Sequence, residues 1–188
     1  MKTSIYSLAL SLLFLGACTA NNEQTQTIAT SDSTGKATAT PVEKTGPTTA
    51  LLGSYLKLKN ALVADQAKDA AAAGNEMVTA FASFDKAALT AEQSKTYTEI
   101  YDSAKEHAEH IEANATNIVH QREHFDMLSK DIYDLVKLLG TSQTLYVEHC
   151  PMYNNNKGAS WLSTEKEIKN PYYGANMLTC GSVTEELK

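Results

Sequence analysis

The stretch from Ile118 to Leu139 constrains the fold more than any other. Ile118, Phe125, Leu128, Ile132, Leu135 and Leu139 recur at near-heptad spacing, and Gly140 ends the pattern. A helix with such a stripe must bury it against partners, and three earlier segments offer them. Leu51, Leu52, Tyr55, Leu58 and Leu62 recur at threes and fours and predict a first helix that stops near Ala64. Asp65 is the expected N-cap of a second, alanine-rich helix with Ala70, Ala73, Met77, Ala80, Phe81 and Phe84 on one face. Thr90-x-x-Gln93 is a capping box that opens a third helix carrying Tyr97, Tyr101, Ala104, Ala108 and Ile111, with a turn expected over Asn114–Asn117. Short turns between four amphipathic helices predict an all-α fold, an antiparallel four-helix bundle over residues 49–140. No segment alternates cleanly enough to predict a strand.

Ahead of the bundle lie two segments of different character. Residues 1–17 read as a lipoprotein signal peptide: Lys2, then the apolar run Ile5–Leu15, too short to span a bilayer. Leu15-Gly16-Ala17-Cys18 resembles the bacterial lipoprotein signal, which implies cleavage before Cys18 and lipidation of its sulfur. An ordinary secretory signal is the alternative, and either way the chain is exported. Residues 18–48 follow as a lipidated cysteine and a Thr/Asn/Gln/Ser-rich tether, too polar to offset the entropy of ordering it. The expected location is a bacterial membrane surface reached by the lipid anchor alone, the outer membrane facing the periplasm. With 22 acidic against 16 basic residues, the balance disfavours nucleic acid as a partner.

Residues 141–188 form an expected irregular cap, rich in Cys, Met and aromatics. Pro151 and Pro171 interrupt regular helix, Gly158, Gly174 and Gly181 allow turns, and residues 163–168 allow one short helical stretch. Tyr146, Tyr153, Trp161, Tyr172 and Tyr173 supply the surface that would pack it down. Two soft-ligand clusters face each other in sequence, His149-Cys150-x-Met152 and Met177-x-x-Cys180. Cys150, Met152, Met177 and Cys180 offer four sulfurs, with His149 as a nitrogen alternative. Thiolate and thioether favour Cu(I), and the methionines tilt the choice from zinc towards copper or silver. A Cys150–Cys180 disulfide is the competing reading in an oxidising compartment, contributing roughly 3–4 kcal/mol in the chain-entropy model.

A second candidate lies on the bundle. His107 and His110 fall late in helix three, His120 and His124 early in helix four, so a hairpin about the Asn114 turn gathers all four at one end. His120 and His124, four apart, share a face and allow two imidazoles on one metal, and His107 and His110, three apart, could do the same. The bland alternative is a hydrogen-bonded or solvated set of histidines beside a charged face of Glu106, Glu109, Glu112 and Glu123.

Several motifs carry a resemblance: His149-Cys150-Pro151-Met152, Lys157-Gly158-Ala159-x-Trp161-Leu162-Ser163, Ile168-x-Asn170-Pro171-Tyr172-Tyr173-Gly174 and Met177-Leu178-x-Cys180-Gly181. With the upstream Gln121-Arg122-Glu123-His124-Phe125 and Tyr55-Leu56-x-Leu58-Lys59, they resemble the DUF3347 domain over roughly residues 49–186. That resemblance implies an exported protein of Bacteroidetes-type bacteria, related to domains fused to periplasmic adaptors of heavy-metal efflux pumps. It implies a metal-handling role, with copper the expected ion and efflux components the expected partners. The cap also resembles Cys-Pro-Met heavy-metal-binding segments, but lacks their usual Cys-x-x-Cys-Gly-Met arm. The expectation is a membrane-anchored Cu(I)-binding lipoprotein for buffering or delivery to efflux, or else a disulfide-locked helical interaction module. No Cys-x-x-Cys, nucleophile elbow or phosphate loop points to an enzyme.

Overall fold

The computed structural model describes residues 48–188. The predicted signal peptide, the Cys18 lipidation position and the tether through residue 47 lie outside the described residues. Thr48, expected in the tether, belongs to the folded part: it is buried, and its Oγ1 donates to the Gly140 carbonyl at 3.1 Å.

Four helices follow in order: α1 (Thr49–Val63), α2 (Ala67–Ala82), α3 (Ala91–Ala113) and α4 (Ile118–Leu139). The Thr90–Gln93 capping box forms in both directions, at 3.2 and 3.0 Å, and satisfies two orphan N–H groups of α3. Asn117 caps α4 by accepting from the His120 N–H at 3.2 Å. The predicted stripes meet in one core that includes Leu52, Tyr55, Leu58, Met77, Tyr97, Ile111, Phe125 and Ile132. Gly74 lets α2 approach α3: a Cβ there would stand 3.0 Å from the Ala108 carbonyl. Among the described residues, no helix is long and apolar enough to cross a membrane.

Asp65 does not cap α2. Gln66 occupies that position, and Asp65 sits in the left-handed region (φ 58°), which aspartate tolerates better than most residues. Its carboxylate accepts instead from the Ala175 N–H (3.0 Å) and from Arg122 (2.6 Å), which hold it below the usual carboxylate pKa.

The fold is mostly helical but not all-α, because the cap expected to be irregular contains a sheet. Strands β1 (Leu145–Cys150), β2 (Ala159–Ser163) and β3 (Ser182–Leu187) form an antiparallel sheet in the order β2-β1-β3. The central strand escapes a period-two reading because Leu145, Val147, Glu148 and Cys150 are all buried. A register irregularity between Val147 and Glu148, against β3, breaks the pairing further. The short helix expected over 163–168 does not form. Ser163 ends β2, and its Oγ accepts from the Glu165 N–H at 3.1 Å, which turns the chain away.

Tyr55 joins helix to sheet. Its hydroxyl accepts from the Leu162 N–H at 3.0 Å and shares a hydrogen bond with Ser129 Oγ at 2.8 Å, while its ring stacks on Phe125. Glu148 faces the same interior. It is fully buried, its carboxylate has no hydrogen-bond partner among the described residues, and burial pushes its pKa up to about 7. Lys59, also buried, tempers that shift. Because the folded carboxyl binds its proton more tightly than the unfolded one, the stability this group contributes is complete below pH 4.5 and is lost as pH rises towards 7. The decline amounts to at most about 3 kcal/mol. Glu148→Gln is expected to shrink the stability difference between pH 5 and pH 8, as read by urea unfolding at the two pH values. An unchanged difference would show that Glu148 does not titrate in this window.

Candidate metal centre

Helices α3 and α4 run antiparallel about the Asn114–Asn117 turn, as three cross-helix contacts with matched spacing require. Gln93 reaches the Leu138 carbonyl, Ser103 donates to Asp131, and His107 meets His124. This register is what assembles the histidines. On α4, the run Gln121–Phe125 divides its work by face. Gln121 points inward and donates to the Ala67 and Ile111 carbonyls (2.9 and 3.1 Å). Arg122 reaches the end of α1 and the Pro171 loop, and Phe125 stacks on Tyr55. Glu123 and His124 are left facing α3 and solvent.

Ring nitrogens of His110, His120 and His124 lie within 4.8 Å of one another. The rings of His110 and His124 stack at 4.3 Å, and His120 meets His124 edge-on at 4.5 Å. His107 belongs to the cluster differently, with its Nδ1 3.1 Å from the Nδ1 of His124. His120 Nδ1 stands 3.1 Å from Glu123, and His110 Nε2 is 3.9 Å from Glu106. Desolvation, with the neighbouring histidines, pushes the His124 pKa down to about 4. A neutral imidazole offers a lone pair to a metal, and a positive charge here would be repelled by three neighbours. Donor nitrogens of a tetrahedral site, each about 2.0–2.1 Å from the ion, stand roughly 3.3 Å apart. The ring nitrogens therefore have to close by up to about 1.5 Å on binding, and the stacked His110 ring has to turn so that its lone pair aims at the ion; its side chain is half-exposed at the helix surface.

The sulfur set is assembled only in part. Cys150 at the end of β1 is buried, and Cys180 follows a turn in which its N–H donates to the Met177 carbonyl at 3.1 Å. Asn170 pins that turn by donating to the Cys180 carbonyl at 2.8 Å. The two Sγ atoms stand side by side at 2.7 Å, and the contact with Cys150 raises the Cys180 thiol pKa. Met152 and Met177 are half-exposed, at 47% and 38%. His149 follows the alternation of β1 and points to the opposite face from Cys150. Its Nδ1 lies 3.0 Å from Ser160 Oγ, in a groove of about 360 Å³ shared with Asp126, Lys130 and Glu185. Gly158 makes room for that ring, since a Cβ there would stand 2.5 Å from it.

The structure thus places His120 and His124 together with His110, one of the four histidines that the hairpin about the Asn114 turn is expected to gather. The signal that finds it is the hairpin register, not any spacing within one helix.

The family described as "Protein of unknown function (DUF3347)" matches residues 51–144. The match covers half of the chain, which belongs to the DUF3347 family. It takes in the helices and the histidine cluster and stops just short of β1, so the cap lies beyond it. No curated protein and no solved structure matches the chain.

Proposed function

We propose that this DUF3347 protein binds a transition-metal ion through the histidines where α3 meets α4, as an exported, lipid-anchored lipoprotein that buffers copper or delivers it to efflux. Its four helices act as an antiparallel bundle whose register brings the imidazoles together. The observation that carries the reading is the convergence of three ring nitrogens, two of them on histidines whose second nitrogen already has a partner. Metal-binding histidines characteristically hold their other nitrogen in this way. Imidazole ligands suit copper and zinc, and the divalent affinity order favours copper. Cu(I) at the sulfurs remains part of the reading as a second, softer site made of Cys150, Cys180 and the exposed methionines.

A competing reading of the cap is a Cys150–Cys180 disulfide, which the adjacency of the two sulfurs in an exported protein favours. It leaves the histidine site intact. Titration of the full chain with Cu²⁺ and with Zn²⁺ against a competing chelator separates these possibilities. One equivalent is expected to bind, to be retained by Cys150→Ser/Cys180→Ser and to be lost in His110→Ala/His124→Ala. Retention in the histidine variant with loss in the cysteine variant would overturn the assignment to the helices.

A further inference from the structure

We infer that the metal centre is a three-histidine site with an open fourth position, in which His107 is not a ligand but the hydrogen-bond acceptor that orients His124. This inference rests on the metal-binding reading above and specifies how the site works.

The two Nδ1 atoms of His107 and His124 are 3.1 Å apart, so one of them must carry the proton and the other accept it. A ligating nitrogen must be unprotonated. His124 binds metal through Nε2 only if its proton sits on Nδ1, and that proton is then donated to His107. His107 must in turn hold its own proton on Nε2 and present a bare Nδ1. Asp131 neighbours His107 and is itself held by Ser103 at 2.8 Å, so the acceptor ring has a fixed polar neighbour. With its Nδ1 engaged by His124, His107 cannot offer that nitrogen to the ion.

His120 directs Nδ1 to Glu123, which frees Nε2 for the metal. His110 has no comparably close partner and a half-exposed side chain. The three donors therefore come from positions 110, 120 and 124, and the outer side of the site opens to solvent past His110 and His120. Closed structural sites use four protein ligands, whereas three ligands leave a position for water or another donor. An ion held this way can exchange water for an incoming donor before it leaves the protein. That property suits a carrier that hands metal on better than a store that keeps it.

Co²⁺ loaded into the full chain reports on this directly, because its visible bands follow coordination number and geometry. Azide is expected to change those bands in a saturable titration, by displacing the water. His107→Gln is expected to keep one Co²⁺ per chain and its azide response, with affinity lowered about 10–100-fold, as for loss of an outer-shell partner. His124→Ala is expected to lose Co²⁺ altogether. Bands unmoved by azide, or His107→Gln losing the ion as fully as His124→Ala, would overturn the open three-histidine site and make His107 a fourth ligand. Failure of the unaltered chain to take up Co²⁺ would instead remove the metal-binding reading on which the inference rests.

Discussion

Replacing Arg122 by methionine is expected to lower the free energy of unfolding by about 3–5 kcal/mol, among the largest single-residue effects in this fold. Arg122 is 8% exposed and makes three charge-assisted hydrogen bonds. Its Nε donates to the Pro171 carbonyl (2.7 Å), and its Nη2 to the Leu62 carbonyl (2.8 Å) and to Asp65 (2.6 Å). One side chain thus satisfies a carbonyl in the last turn of α1, fixes the turn into α2 and ties the Pro171 loop to α4. Methionine retains much of the packing but removes the charged donor from the Pro171 and Leu62 carbonyls and leaves Asp65 with the Ala175 N–H alone. Lysine would fare better, yet its single ammonium cannot reproduce a planar fork with donors in two directions. Urea unfolding of the three proteins measures this. A methionine variant within about 1 kcal/mol of the parent would mean that water replaces the guanidinium at little cost.

The second large effect is on binding. His124→Ala removes the donor at the centre of the cluster, and the metal affinity is expected to fall at least about 100-fold, beyond the loss of an outer-shell partner. In the parent, metal at one hundred times its dissociation constant should add about 2.7 kcal/mol to stability. In the variant at the same concentration that gain should be nearly absent, so thermal unfolding with and without metal reports the loss. The metal-free proteins carry an independent check. His124 has its pKa depressed to about 4 in the folded state, so below its ordinary value near 6.5 the unfolded chain takes up the proton first. Stability from this group is therefore complete above pH 6.5 and lost as pH falls towards 4. His124→Ala should flatten that part of the profile. A parent and variant that lose stability in parallel between pH 6.5 and 4 would place the acid sensitivity elsewhere.

The helices were legible because each buries one stripe and leaves the other face polar. Leu51 to Leu62 and Phe125 to Leu139 show the period directly, and the Thr90–Gln93 box marks a start that the structure reproduces. The sheet was not legible, because Leu145, Val147, Glu148 and Cys150 of β1 are all buried and the buried positions do not alternate. Asp65 misled for a local reason: aspartate caps helices well, but here its carboxylate is used by Arg122 and Ala175. At the site, the pairing of His120 with His124 followed from one helical turn. The arrival of His110, and the different role of His107, depend on how α3 and α4 are aligned across the turn. Cys150 and Cys180 were recognisable as partners, but the opposite orientation of His149 became readable only once β1 was known to be a strand.

The ion is expected among imidazoles on the helices rather than among sulfurs in the cap. X-ray absorption at the metal edge, on the full chain loaded with one equivalent of Zn²⁺, distinguishes the two. Nitrogen and oxygen neighbours are expected at about 2.0–2.1 Å, with the outer-shell signature of about three imidazoles and no sulfur. A shell of sulfur at about 2.3 Å would contradict it and move the site to Cys150 and Cys180.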